Sequence, residues 1–276
     1  MIAAALARAA DRLRAHDSAR LDAELLLGHV LTRDRAWLLA HGDAPLDRDA
    51  IGRFEALVAR RAAGEPIAYL VGVREFWSLP FEVGAGVLVP RPETETLVEL
   101  ALARLPPRAA RVLDLGTGSG AIGLAIAHER PTLSVDLVDA SAAACAIAER
   151  NRVRLGLKNA RTLVGDWFGP VAAARYALIV SNPPYLRASD PHLADAALGF
   201  EPRAALVAGA SGLEALAAIA AGAPSHLEVG GLLILEHGAE QGAACRALLL
   251  AAGFGGVETH RDLAGLERAT LGVKPG

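Results

Sequence analysis

Lysine is nearly absent from this chain: only Lys158 and Lys274 are lysines, and arginine carries the remaining positive charge. No function follows from that bias. Cysteine is as scarce. Cys145 and Cys245 are the two present, far apart and each inside an Ala-rich helical pattern. That excludes a disulfide framework or a Cys-based zinc site and leaves two core thiols. No apolar stretch is long enough to span a bilayer, and no basic-then-apolar leader opens the chain, so a cytoplasmic protein without membrane contact is expected. An excess of charge of one sign is also missing. The formal net charge is −3, and Met1 to Ser78 holds eleven arginines against eleven acidic residues. Nucleic-acid affinity draws mostly on clustered cations, so direct nucleic-acid binding is not expected. The eight histidines are scattered. Glu236-His237 has no second His or Cys at ligand spacing, so no metal is expected and the pair reads as a structural strand end.

What is present is a chain of 276 residues, 53% hydrophobic, enough for one large domain or two unequal ones. From Ile2 to about Ala63 apolar residues recur at three and four, with breaks at Gly42 to Pro45 and Gly64 to Pro66. This predicts a small bundle of four or so short helices, the first domain at 1–72. Val73 to Pro92 then mixes aromatic and β-branched residues with Gly and Pro, which predicts a hairpin linker over 73–92. A helix is expected from Glu93 to Leu105, stopped by Pro106-Pro107.

Beyond Arg108, short apolar runs alternate with helical ones: Arg111 to Leu115, Ala121 to Glu129, Ser134 to Asp139, Ala142 to Leu155, Arg161 to Val164, Tyr176 to Val180. Later come Leu232 to Glu236, a helix near Gln241 to Ala252, Gly256 to Arg261 and Arg268 to Val273. Such alternation predicts an α/β, doubly wound parallel sheet over 93–276, with its ligand beyond the carboxyl ends of the strands.

The first of those strands runs into Asp114-Leu115-Gly116-Thr117-Gly118-Ser119-Gly120. Alternate glycines let a backbone pass close to a ligand, and the following helix points its N-terminal dipole at it. Gly118 to Gly123 also fits G-x-G-x-x-G, which keeps a dinucleotide oxidoreductase open. Asp114 tilts the balance: an acid at the strand end can engage the amino-acid end of S-adenosylmethionine, directly or through water, whereas a pyrophosphate gains nothing from a nearby anion. Asp139, 19 residues past Gly120, can accept from ribose hydroxyls in either cofactor class. Asp166 and Trp167, after the third strand, suit an adenine edge and face, or simply a strand end with a half-buried indole.

The stretch Ser181-Asn182-Pro183-Pro184-Tyr185-Leu186 is stiff and extended, because each proline fixes its own φ and Pro184 also restricts Pro183. It reads either as a rigid loop or as a jig in which Asn182 Oδ1 and the Pro183 carbonyl are two acceptors at a fixed separation. An amide or arylamine nitrogen is a poor nucleophile because its lone pair is delocalised. Two acceptors on its two N–H groups would aim the lone pair at a methyl donor, Tyr185 would pack on the flat group, and placement would supply most of the acceleration. This clamp names a chemical group and not its carrier. An adenine N6-methyltransferase acting on nucleic acid therefore stays open, as does a non-catalytic binding module.

Several stretches together resemble one family. They are "DAELLL" from Asp22, "GEPIAYLVGVREFWSLPFEV" from Gly64, "VLVPRPETE" from Val87, "VLDLGTGSGAIGLA" from Val112, "SNPPYL", "FEPRAALVAG" from Phe200, "LLILEHG" from Leu232 and "DLAGLERAT" from Asp262. The sequence is similar to the peptide chain release factor glutamine methyltransferases, the HemK/PrmC family. One departure is Leu186 where many relatives have Ile, a volume-conserving change. The resemblance implies a Rossmann-like methyltransferase sheet of seven strands and a small N-terminal helical-bundle domain, joined by a β-hairpin. It implies S-adenosyl-L-methionine as cofactor, held by Gly116, Thr117, Gly118, Ser119, Gly120, Asp139, Trp167 and Asn182. It also implies that Asn182, Pro183, Pro184 and Tyr185 receive a glutamine from the Gly-Gly-Gln loop of a release factor, with Asn182, Pro183 and Tyr185 acting in catalysis. The helical domain is then expected to help dock that partner, and a monomer is expected. "PRPETE" suits a cofactor cover through Arg91 or Glu93, or a salt-bridged corner.

Overall fold

The computed structural model describes residues 1–105 and 110–276. The expected helix stop at Pro106-Pro107 lies outside them. Two compact units are present: Met1–Val73 with His192–Phe200, and Arg74–Pro191 with Glu201–Gly276.

The first unit contains α1 (Ile2–Arg12), α2 (Ala19–Leu31), α3 (Arg35–Ala40), α4 (Arg48–Ala62) and α5 (Ile67–Val71). Four or so helices were expected. The fifth follows the Gly64–Pro66 break, because Pro66 at the N-cap supplies a compatible φ of −57° and does not prevent a new turn. Asp34 and Asp47 cap α3 and α4, each accepting from a backbone N–H three residues on. Ile2, Leu6, Leu13, Leu26, Leu27, Leu38, Phe54 and Val58 form one apolar core. The acids of "DAELLL" are buried beside it and paired. Asp22 accepts from Ser18 and from Arg61 at 2.6 Å, and Glu24 accepts from Arg20 and Arg35. An unpaired charge there would be costly, so each acid has its cation.

The second unit opens with a hairpin of β1 (Val73–Phe76) and β2 (Leu79–Glu82), whose turn residues Trp77 and Ser78 have φ of 51° and 58°. Those values match the turn that best fits the twist of two antiparallel strands. The strands end at Glu82, well short of the expected 92, where Gly84, Gly86 and Pro90 interrupt strand pairing. Phe76 and Phe81 enter the same core as α6 (Glu95–Arg104) and α7 (Ala121–Glu129).

The main sheet has seven strands: β3 (Arg111–Leu115), β4 (Ser134–Asp139), β5 (Ala160–Val164), β6 (Tyr176–Ser181), β9 (Leu227–Glu236), β10 (Gly255–Arg261) and β11 (Glu267–Val273). Their order is β10-β11-β9-β6-β3-β4-β5. The short β7 (Leu186–Arg187) and β8 (Val207–Gly209) pair separately. An all-parallel sheet was expected, but β11 runs antiparallel to both β9 and β10. A five-residue turn joins β10 to β11, and a connection that short can only reverse the chain. Alternate residues of each strand face opposite layers. Val112, Leu178 and Ile234 pack toward α6 and α7, whereas Leu113, Ile179 and Leu233 pack toward α10 (Glu214–Gly222) and α11 (Gly242–Ala251). Helices α8 (Ala142–Arg154) and α9 (Arg203–Leu206) complete the unit. Cys145 and Cys245 are free and buried. No helix among the described residues is long and apolar enough to cross a membrane, and among them no three His, Cys, Asp or Glu side chains gather as a metal cluster.

Candidate active site

The register of three adjacent strands builds the site. Leu115 lies opposite Ser181, and Ser181 opposite Leu235, so the next residues, Gly116, Asn182 and Glu236, reach the sheet's carboxyl edge at one level. The Ser181 hydroxyl donates to the Leu115 carbonyl at 2.7 Å and ties two of these ends together.

After β3 the chain turns through Gly116, Gly118 and Gly120, with φ of 67°, 56° and 86°, left-handed conformations that cost a side-chain-bearing residue strain. Asp114 braces this loop from below. Its Oδ2 accepts from the Thr117 hydroxyl at 2.7 Å and from the Gly123 N–H at 3.0 Å, while Oδ1 is buried with no hydrogen-bond partner. Gly123 must lack a side chain here, because a Cβ would stand 2.2 Å from Leu137 Cδ2. Burial pushes the Asp114 carboxyl up to about 7, with the Asp139 charge acting in the same direction and the two hydrogen bonds opposing it. The acid is fully buried and does not line the cavity above; its partners here belong to the loop itself.

Asp139, at the end of β4, accepts from the Gly118 N–H at 2.9 Å and the Ser141 N–H at 2.8 Å, one bond to each oxygen. Each oxygen keeps a lone pair for a hydroxyl. Above these residues is a cavity of about 340 Å³. Its wall follows the strand order: Asp166 and Trp167 after β5, Asp139 at β4, Gly116, Thr117 and Ser119 after β3, then Asn182 and Pro184 after β6. Trp167 has φ of 39°, a strained value of the kind found at ligand clamps. Of the residues expected at the site, Gly118, Gly120, Pro183 and Tyr185 are not on this wall. The glycines shape the loop, Pro183 is buried, and Tyr185 turns toward β9.

A strap covers the cavity. Leu88, Pro90 and Arg91 line it, and so do Pro202, Ala204 and Ala205 from "FEPRAALVAG". Glu201 fastens the two segments, accepting from Arg91 at 2.5 Å and from the Val89 N–H at 3.1 Å.

At the Asn182 end, Nδ2 donates to Thr94 Oγ1 at 3.2 Å, and none of the described residues donates to Oδ1. The Tyr185 hydroxyl donates to Glu236 Oε1 at 3.4 Å. Burial raises the Tyr185 pKa, and the Glu236 charge raises it further, so the phenol stays neutral. Gln241 holds the backbone of the motif: Nε2 donates to the Tyr185 carbonyl at 3.0 Å and the Gly212 carbonyl at 3.1 Å, while Oε1 accepts from the Gly238 N–H. His237 has both ring nitrogens in hydrogen bonds, to the Gly238 carbonyl and the Thr270 hydroxyl, and burial lowers its pKa. That is the structural strand end expected of it. Thr94, Glu201 and Gln241 have roles the sequence reading did not assign, although the first two lie inside motifs it had marked.

The PrmC N-terminal domain family matches residues 4–72, and the methyltransferase small domain family matches residues 93–198. The release factor glutamine methyltransferase of Xylella fastidiosa (strain Temecula1) is 52% identical over 274 residues, 99% of this chain and 98% of the relative. Its namesake in Escherichia coli K12 is 49% identical, covering 97% and 96%. That of Pseudomonas aeruginosa is 52% identical, covering 92% of each. Among solved structures, a Pyrococcus furiosus methyltransferase shares the fold at a TM-score of 0.56 and 19% identity, covering 80% of this chain and 98% of that one. A Thermus thermophilus 16S rRNA methyltransferase with AdoMet and guanosine does so at 0.55 and 23%, covering 73% and 49%. With these identities sustained over nearly the whole length of both sequences, the chain belongs to the release factor glutamine methyltransferase family.

Proposed function

We propose that this protein transfers a methyl group from S-adenosylmethionine to the side-chain nitrogen (N5) of the glutamine in a release factor's Gly-Gly-Gln loop. The observation that carries the reading is Asn182 on the cavity wall, with its nitrogen engaged by Thr94 and its oxygen left as an open acceptor. The residues present fit the cofactor: the glycine loop allows close backbone approach, Asp139 has free lone pairs for a diol, and Trp167 offers an aromatic face. When bound, the cofactor supplies an electrophilic methyl on a cationic sulfur.

The chain's own residues supply placement. Asn182 Oδ1 and the Pro183 carbonyl accept the two N–H groups of the substrate carboxamide, and Tyr185 packs on its plane, so the nitrogen lone pair points into the cavity. The nitrogen that would receive the methyl is held by these residues, and the proton it sheds on alkylation would pass to water. Neutral Tyr185 is not required as a base, because the nitrogen becomes acidic only on alkylation. The Met1–Val73 helices are proposed to dock the release factor. Adenine methylation and dinucleotide chemistry are less favoured, because the nearly full-length relatives are glutamine methyltransferases and Gly123 of the G-x-G-x-x-G match is committed to packing on Leu137 and Asp114. Incubation with methyl-labelled cofactor is expected to mark a wild-type release factor and not one whose Gly-Gly-Gln glutamine is alanine. Equal labelling of the two would reject the assignment.

A further inference from the structure

We propose that Gln241 is a positioning residue for methyl transfer: its side-chain amide, bonded to three backbone groups at once, fixes the exit of the Asn182–Tyr185 clamp and with it the direction of the Pro183 carbonyl. The inference rests on the amide-methylation reading above.

The clamp has few points at which it can be held. Pro183 and Pro184 carry no N–H, so at these two residues the backbone can be tethered only through carbonyls, and the Pro183 carbonyl has to stay open for the substrate. The entry is fastened by the Ser181 hydroxyl, which donates to the Leu115 carbonyl at 2.7 Å. The exit is fastened at the Tyr185 carbonyl, which accepts from Gln241 Nε2 at 3.0 Å. Because the Pro184 ring fixes φ between the two carbonyls, few soft torsions separate them, and holding the second restricts the first.

Gln241 serves this contact rather than its own helix. It stands at the N-cap of α11, yet among the described residues its side chain caps no N–H of that helix. Nε2 donates also to the Gly212 carbonyl at 3.1 Å, and Oε1 accepts from the Gly238 N–H at 2.9 Å. All three partners are backbone groups whose roles are fixed, so a single orientation of the amide satisfies them. Two of the three belong to glycines that leave the room. A Cβ on Gly212, whose φ is 78°, would stand 2.7 Å from the Tyr185 oxygen, and one on Gly238 would stand 3.1 Å from Gln241 Oε1. The Gly238 turn is a firm base for the contact, since its carbonyl accepts from the Gln241 N–H at 2.9 Å and from His237 Nδ1 at 2.8 Å.

The test compares wild type, Gln241→Met and Gln241→Glu in single-turnover methyl transfer, with cofactor and release factor both saturating. Methionine keeps the length of the side chain and removes all three bonds, whereas an ionised glutamate keeps the shape and turns an acceptor on two carbonyls. Gln241→Met is expected to lose on the order of 10- to 100-fold in rate at pH 8, the scale of a misplaced reacting group. Gln241→Glu should be slower still at pH 8 and overtake Gln241→Met at pH 5.5, where the added acid takes up a proton and recovers one donor. The charged side chains about this point, Arg187, Arg246 and Glu267 among them, are common to both variants, so their ratio isolates the new carboxyl. S-adenosylhomocysteine affinity should stay within about 2-fold of wild type, the span of a change that leaves the cofactor wall intact. A wild-type rate in either variant, or two variants that match each other at both pH values, overturns the proposal. So does loss of S-adenosylhomocysteine binding in both, which makes Gln241 a support of the whole fold; if one alone loses it, the rate of the other decides. Failure of the enzymatic reading is separable: should wild type label no release factor, the tether is judged by itself. The chain has three tyrosines, so labelling with carbonyl-¹³C tyrosine gives three lines, and Tyr185→Phe identifies one of them. That line is expected to move in Gln241→Met while the other two stay. An unmoved line overturns the tether whatever the substrate.

Discussion

Asp114 gives a test that needs no substrate. An aspartate in the unfolded chain ionises near 4, whereas in the folded protein burial holds this one at about 7. Its folded pKa is raised, so the folded state binds the proton more tightly, and the stability this contributes is present at low pH and lost as pH rises through 7. Between pH 5.5 and 7 the loss accumulates over one and a half units at about 1.4 kcal/mol per unit, or roughly 2 kcal/mol, and above 7 it is complete. Asp114→Asn keeps the acceptor for Thr117 and Gly123, places an NH₂ where the protonated acid carries its O–H, and never ionises. To the extent that the amide matches the protonated acid, the variant should equal wild type only below about pH 4, where both states of the acid are protonated, and its advantage should grow by roughly 2 kcal/mol between pH 5.5 and 8.5, an added midpoint shift on the order of 4–8 °C for a domain of this size. Glu236 makes wild type lose stability over the same range, but it does so in both proteins and cancels in the difference. Thermal unfolding of the two without cofactor, at both pH values, is the measurement. An advantage for Asp114→Asn that is equal at the two pH values would refute the buried-acid argument, because only ionisation makes the difference pH-dependent.

Three further outcomes follow from named contacts. Asn182→Ala removes an acceptor from the clamp and is expected to lower single-turnover methyl transfer on the order of 10²-fold; Asn182→Asp, which keeps the oxygens, should lose less, and a larger loss than for alanine would reject the acceptor role. Glu201→Ala leaves the Val89 N–H and the Arg91 guanidinium without their acceptor. S-adenosylhomocysteine affinity measured by calorimetry should fall about 10-fold, the low end for orphaning a buried donor, and an unchanged affinity would mean that the strap does not hold the cofactor. Asp22→Ala strands the guanidinium of Arg61, whose side chain is 12% exposed. It should cost the first unit about 3 kcal/mol, seen as faster hydrogen exchange in α2 and α4 with the second unit unaffected.

The parts of the molecule legible from sequence were those set by local rules. The period of apolar residues gave β3, α7 and β4 to within a residue, because each is bounded by its own punctuation: the glycine loop, Arg130-Pro131 and the Asp139-Ala140-Ser141 turn. The reversal of β11 was not legible by alternation alone, since a strand's direction depends on the length of the connection before it. The start of β9 at Leu227 was likewise hidden, because Glu228 to Gly231 carry no apolar pattern and are held by backbone pairing. At the site, Gly116 to Gly120, Asp139 and Asn182 announced themselves by residue type at strand ends. Thr94 and Glu201 did not, because their meaning is a partner at the far end of the chain: Asn182 is 88 residues from Thr94, and Arg91 is 110 from Glu201. Asp114 was noticed for its charge, but its place beneath the loop was not legible, since residue type does not tell whether a strand-end acid points above the loop or below it.

The two buried acids belong to one design. Strand β6, which Asn182 follows, lies between β3 and β9, and these carry Asp114 and Glu236 at or near their carboxyl ends. Each carboxyl is fully buried, is held up to about 7 chiefly by burial, and keeps one oxygen without a hydrogen-bond partner. Neither arrangement favours folding at alkaline pH, where each group carries a charge in an apolar setting. Each braces a segment that must hold its shape against a ligand: the glycine loop on one side, Tyr185 on the other. A neutral amide in place of either acid would relieve the folded chain of that cost, but an amide can donate as well as accept. Only an acceptor without protons forces every neighbouring donor to point inward, and a methyl transfer that depends on the direction of a lone pair requires its clamp to have one orientation.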